Sequence, residues 1–145
     1  GILRTDKISG LETPTAVTGS VSFDGNGDWI TVAESEDFNF GTGDFTVEFW
    51  VYWDGLNAGS SRGVQLTAAV TNGIWIGQVN TTDYVLRSYG NANHLTVSLP
   101  PLEKWHHIAV TRKDSTARFF VNGNLEASGS VTHNFVKHDI VIGSD

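Results

Sequence analysis

Short runs of alternating apolar and polar residues recur about every 8 to 12 residues from Val21 onward, and this spacing most constrains the fold. It is typical of an antiparallel sandwich or barrel, because strands that alternate with helices need longer periodic segments. Because the turns are short, we expect most strands that are neighbours in sequence to pair. The predicted strands cover residues 20–24, 28–33, 44–53, 62–69, 74–79, 84–89, 94–99, 105–113, 116–122, 124–128 and 139–142.

Two Asn-Gly pairs lie between predicted strands, Asn26-Gly27 and Asn122-Gly123. Both residue types accept the positive φ of a two-residue hairpin turn, so each pair predicts a hairpin. Pro100-Pro101 ends the strand before it, since proline lacks the N–H that a sheet ladder needs.

The run DFTVEFWVYW, residues 44–53, is the most informative single strand. Alternate side chains of a strand point to opposite faces of its sheet. One face is apolar and predicts a core: Phe45, Val47, Phe49, Val51 and Trp53. The other face is polar at one end and aromatic at the other, as expected for a partly covered or ligand-contacting surface: Asp44, Thr46, Glu48, Trp50 and Tyr52.

Charge and composition exclude several classes of function. Nine Lys plus Arg stand against 16 Asp plus Glu, a net charge of −7, so nucleic acid is not an expected partner. Cysteine is absent, which excludes thiolate chemistry, and no apolar run is long enough for membrane insertion. Residues 1–19 lack a sustained period and predict a linker or arm, which leaves residues 20–145 as one domain.

Several short signatures follow one another in a fixed order: Phe23-Asp24-Gly25, Phe45-Thr46 to Trp50, Trp105-His106-His107, Phe120-Val121-Asn122-Gly123 and Ile142-Gly143. Together they resemble the concanavalin A-like jelly rolls of the laminin G-like and pentraxin-like kind. The resemblance implies an all-β, two-sheet antiparallel sandwich. It also implies one further strand after Ile142-Gly143, which a longer chain or a partner would supply. TGDFTVEFW and WHHIAVTR are similar to copies in bacteriophage structural proteins.

Asp24, Asn26 and Asp28 have the alternate spacing with which calcium loops begin. A helix-loop-helix calcium site also needs Gly at its sixth position and Glu at its twelfth, and here Trp29 and Ser35 stand there. We therefore predict a turn and no certain cofactor. The resemblance leaves calcium open, because some members of the family bind it at the rim of the sandwich.

Catalysis is not expected. The laminarinase-like glycosidases of this fold carry E-x-D-x-x-E, which is absent here, and Asp44 and Glu48 lie about 13 Å apart along one strand. The adjacent His106 and His107 point to opposite faces of their strand, so they cannot chelate one ion together. We predict that they are packed or hydrogen-bonded.

Aromatic side chains supply the remaining candidates, since sugars stack on rings while polar groups fix their hydroxyls. The predicted ligand-binding residues are Trp50, Tyr52, Trp75, Tyr84, Arg87 and Tyr89. We expect a non-catalytic module that binds a glycan or cell-surface polysaccharide, in a larger extracellular or virion-surface protein. The alternatives are a phage decoration or tail-fibre domain that contacts other protein subunits, and, less favoured, a glycoside hydrolase.

Overall fold

The computed structural model of this chain describes residues 19–24, 26–55, 62–66, 72–88 and 93–143. Ten strands and one 3₁₀ turn at Glu36–Phe38 account for its regular structure. No helix in these ranges is long and apolar enough to span a bilayer. The strands are β1 Ile30–Val32, β2 Phe45–Tyr52, β3 Arg62–Leu66, β4 Ile74–Gln78, β5 Asp83–Ser88, β6 Asn93–Ser98, β7 Trp105–Lys113, β8 Thr116–Val121, β9 Asn124–Ser130 and β10 Ile140–Ile142.

The strands form two antiparallel sheets that face each other across one core. The six-stranded sheet has the order β1-β10-β3-β4-β5-β6, and the four-stranded sheet has the order β2-β7-β8-β9. The core draws on both sheets, with Ile76 and Leu86 from the first and Ile108 and Phe119 from the second, all fully buried. This is the predicted two-sheet sandwich of the jelly-roll kind.

The pairing of sequence neighbours is only partly as predicted. The hairpins β3-β4-β5-β6 and β7-β8-β9 do pair in sequence order. However, β2 pairs with β7 and β10 lies between β1 and β3. The chain crosses from one sheet to the other between some consecutive strands, so strands that are neighbours in sequence can lie in different sheets. Turn length alone does not predict which strands then pair.

The predicted first strand and first hairpin are wrong. Residues 19–24 have no strand structure, and β1 pairs with β10 instead of with a preceding strand. Asp24 Oδ1 accepts the Asn26 N–H at 2.8 Å, a local bond of the kind with which an aspartate competes against ladder formation. The Phe23 ring lies against Gly143, whose φ of +83° and lack of a Cβ permit that contact.

The alternation predicted for β2 is confirmed. Phe45 is buried and Val47, Phe49 and Val51 pack against the core cluster. Thr46, Glu48, Trp50 and Tyr52 are exposed on the other face. We call that face, together with the same face of β7 to β9, the outer face of the four-stranded sheet.

Two tight turns connect β7, β8 and β9. Asp114 and Ser115 (φ +50° and +62°) connect β7 to β8, and Asn122 and Gly123 (φ +52° and +80°) connect β8 to β9. Paired positive φ values match the right-handed twist of the flanking strands. The hairpin predicted at Asn122-Gly123 is confirmed.

Arg112 anchors the edge of the core although it carries a charge. Its side chain is 1% exposed and lies within about 5 Å of the Phe45 and Phe135 ring centres. Its guanidinium donates to three carbonyl oxygens at 2.7 to 2.8 Å, those of Gly41, Gly43 and His133. This buried cation therefore connects β7 to the segments that precede β2 and β10.

Candidate functional site

Three large aromatic side chains are exposed side by side on the outer face of the four-stranded sheet. Trp50 and Tyr52 lie on β2 and are 65% and 44% exposed, and Trp105 lies on β7 and is 51% exposed. With the half-buried His107 they form what we call the aromatic surface. Contiguous exposed apolar side chains of this kind mark interaction sites more often than chance.

The register of β2 against β7 explains the arrangement. Trp50 is directly opposite His107 and Tyr52 is directly opposite Trp105. The ring centres of the first pair are 5.3 Å apart and those of the second pair 5.7 Å apart, and both pairs are tilted. The two pairs follow one another at about 7 Å along the strands, the two-residue repeat of a sheet face. The result is a two-by-two array of rings.

Polar groups border the array on one side. Glu48 precedes Trp50 on the same face, and its carboxylate lies 3.5 Å from His107 Nε2. The pair places a hydrogen-bond acceptor and an imidazole next to the rings. Such a combination can fix the hydroxyls of a molecule that stacks on the aromatic surface.

A buried polar network holds the end of β7 that carries Trp105 and His107. His106 is 4% exposed, and its Nε2 lies 2.8 Å from the Pro101 carbonyl, which can only accept. Nε2 therefore carries the proton, and Nδ1 accepts from the Asn122 side-chain amide at 3.0 Å. Asn122 Oδ1 in turn accepts the His107 N–H at 3.0 Å, beyond the end of β8. The predicted hydrogen-bonded role of His106 is thus observed.

Only part of the predicted ligand-binding set comes together here. Trp50 and Tyr52 lie in the array. Trp75 is 5% exposed on the other sheet, 5.2 Å beneath the Arg87 guanidinium, so neither joins the aromatic surface. Tyr89 lies outside the residues that the structure describes.

Tyr84 is enclosed between the two sheets. Its ring meets Trp53 and Phe119 edge to face, and burial raises the pKa of its hydroxyl far above the ordinary value. A ligand on the outer face does not reach it. Of the predicted set, only Trp50 and Tyr52 lie on the aromatic surface.

Trp105 and His107 were not among the predicted ligand-binding residues. The alternation in WHHIAVTRK does put both on one strand face, which was the available signal. Their position opposite Trp50 and Tyr52 depends on a pairing between segments more than fifty residues apart. No local pattern encodes that register.

The calcium prediction remains a prediction. Asp24 uses one carboxylate oxygen for the Asn26 N–H. Within the described part of the chain, no three His, Asp or Glu side chains are grouped as metal ligands.

These features define an antiparallel jelly-roll sandwich with an exposed aromatic array on one sheet. The family model of the concanavalin A-like lectin/glucanases superfamily matches residues 24–145, most of the chain. The chain belongs to this superfamily, as the ordered signatures indicated. No curated protein sequence matches it.

Solved structures share the fold at low sequence identity. Domains LG4-5 of the mouse laminin alpha1 chain align with a TM-score of 0.58 and 15% identity, over 83% of this chain and 32% of the laminin chain. A Trypanosoma rangeli sialidase aligns with a TM-score of 0.51 and 20% identity, over 70% of this chain and 17% of the enzyme. This chain therefore spans about a third or less of these proteins, and the likeness shows the fold alone.

Proposed function

We propose that this chain is a non-catalytic module that binds a glycan on its aromatic surface. The observation that carries the proposal is the paired, exposed array of Trp50, Tyr52, Trp105 and His107. Sugar C–H faces are apolar and stack on such rings, and Glu48 beside the array can accept hydroxyl hydrogen bonds. Membership of a superfamily that contains lectins agrees with this reading.

The absence of catalysis is part of the proposal. A glycosidase needs two carboxyl groups about 5 to 9.5 Å apart on either side of the scissile bond. On the β2 face, Glu48 lies beside the array and Asp44 lies four residues away, about 13 Å along the strand. A sugar held by the rings would therefore meet one of these carboxylates but not both.

The module would be part of a larger extracellular or virion-surface protein, where cell-surface polysaccharides are accessible. Calcium at the rim stays within the proposal as an open requirement. The binding experiment tests the calcium requirement.

A glycan array probed with purified chain tests the proposal. We expect the wild-type chain to be retained on a restricted group of sugars and the double variant W50A/Y52A to lose that binding. Trp29→Ala is the matched control, because Trp29 is 58% exposed but precedes β1 on the other sheet. Each arm is run with calcium and with chelator. Retention of W50A/Y52A at wild-type levels, or no retention of the wild type, contradicts the proposal.

A second candidate is a contact with another protein subunit, because Trp and Tyr are enriched in the buried centres of protein interfaces. The same exposed array favours it. Sedimentation of the chain alone and with the other subunits of its native assembly separates the two readings. A complex that W50A/Y52A abolishes while sugars have no effect would favour the protein contact.

A further inference from the structure

A second site lies on the outer face of the same sheet, at the end away from the aromatic surface. Phe45 and Arg112, whose side chains are buried in the core, contribute to the lining of a shallow depression there, and its outer-face residues are Asp44, Thr46, Thr111, Lys113 and Arg118. We call it the basic groove. It places two cations and two hydroxyl groups together on a protein whose net charge is −7.

The two cations are neighbours across the β7-β8 hairpin. Arg118 is directly opposite Thr111, and Lys113 is opposite Thr116, so Lys113 and Arg118 are diagonal neighbours on one face. Side chains in that relation have Cβ atoms about 7 to 8 Å apart. Neither cation lies within ion-pair distance of an acidic side chain in the described ranges. Two adjacent cations outnumber the one carboxylate at the groove, that of Asp44, and this excess favours an anion that bridges the cations.

The acidic residue at the groove has a different partner. Asp44 Oδ1 accepts the Asp114 N–H of the β7-β8 turn at 2.9 Å. Thr46 and Thr111 are directly opposite each other across the β2-β7 pair, so both hydroxyl-bearing side chains lie at the groove. Together with the planar guanidinium of Arg118, they match the two oxygens of a carboxylate.

The groove and the aromatic surface lie on the same face of β7. Between the two lies Ala109, a small residue opposite Glu48 on one side and Phe120 on the other. From Thr111 at the groove to His107 in the array is four residues of β7, about 14 Å. One sugar ring cannot cover that distance, whereas an oligosaccharide lying along β7 can.

We propose that the basic groove binds a carboxylate of the same glycan that stacks on the aromatic surface. The ligand is then an acidic oligosaccharide, with a neutral ring on the array and a charged residue at the groove. Glu48 next to the array disfavours the opposite orientation by like-charge repulsion. This inference rests on the proposed function, because it specifies the ligand of that surface.

The test uses an array of acidic oligosaccharides that contain uronate or sialate, each paired with its carboxyl-reduced form. We expect retention of the acidic forms, weaker retention of the reduced forms, and binding that falls as sodium chloride is raised. Arg118→Gln should weaken binding to the acidic forms roughly tenfold, somewhat beyond an exposed ion pair, because the guanidinium can bond both carboxylate oxygens.

Lys137→Gln is the matched control. It removes the same unit of charge, but Lys137 pairs with Glu36, the first residue of the 3₁₀ turn. Thermal melting confirms that both variants are folded. If the reduced sugars bind as tightly as the acidic ones, or if R118Q and K137Q behave alike, the groove inference fails while glycan binding stands. If no sugar of either form is retained, the proposed function fails with it.

Discussion

Replacing Asn122 should separate three contributions to the stability of the β8-β9 turn and of the strand end that carries Trp105. Asn122 has a φ of +52°, accepts the His107 N–H and donates to His106 Nδ1. Alanine loses both hydrogen bonds, at about 1 kcal/mol each. It also adopts a left-handed backbone at a cost of about 1 kcal/mol or more. We therefore expect Asn122→Ala to lower the free energy of unfolding by about 3 kcal/mol.

Two further substitutions at Asn122 separate the contribution of the backbone conformation to that loss of stability from the contributions of the two side-chain hydrogen bonds. Asn122→Gly accepts the positive φ but makes neither side-chain bond, so about 2 kcal/mol should be lost. Asn122→Asp keeps the acceptor for His107 but faces the His106 Nδ1 lone pair with a second acceptor. N122D should therefore lose the bond to His106 and be less stable than the wild type, by about 1 kcal/mol or more.

Urea unfolding at 25 °C measures the series. The midpoint for N122A should fall by about 1 to 2 M with an unchanged slope against urea. The same variants report on the site, because loss of the His107 anchor should weaken glycan binding even where the protein is folded. If N122G is as stable as the wild type, the Asn122 side-chain bonds contribute nothing and this account of the strand end is wrong.

Three further predictions concern side chains that are buried or partly buried in the core. Arg112→Met leaves buried carbonyls without their donor and should cost about 4 kcal/mol in urea unfolding, against about 0.5 kcal/mol or less for the partly exposed Arg118→Met. Tyr84→Phe should leave stability unchanged or raise it, because the Tyr84 hydroxyl has no hydrogen-bond partner among the described residues; a loss above about 1 kcal/mol would point to a partner. Burial lowers the pKa of His94 and His133 below 6.5, with Arg112 adding to both shifts. The unfolded chain then binds more protons, so stability is full above about 6.5 and falls as the pH drops below it. His94→Gln should flatten that pH dependence, and an unchanged slope would contradict it.

The local sequence pattern predicted the strands and turns of this fold better than it predicted which strands pair with each other. The alternation of β2 and the turn at Asn122-Gly123 are properties of a few adjacent residues, and both are confirmed. The pairing of β2 with β7 is decided by how two apolar faces close on one core, and no segment shows it alone. Residues 20–24 have strand-like composition, but local bonds such as that of Asp24 compete with pairing.

The candidate site, too, was predicted only where a single strand carried the signal. Trp50 and Tyr52 were predicted because one strand has a polar face that turns aromatic. Trp75 and Tyr84 belong to strands of the six-stranded sheet that are buried on both faces, where alternation no longer separates inside from outside. The aromatic surface as a whole depends on register, which is why Trp105 and His107 joined it only in three dimensions.

Because of the Asn122-Gly123 turn, the properties of the purified protein should also depend on how long it has been stored. Asparagine followed by glycine is the pair in which the next backbone nitrogen most readily attacks the side-chain amide, because glycine has no side chain to shield it. Ammonia leaves as a cyclic succinimide forms, and water then opens that ring to aspartate or isoaspartate, a change that heat accelerates. Since the amide so lost is the donor to His106, stored protein should drift towards the behaviour of N122D, and fresh and old preparations would differ in stability and in sugar binding.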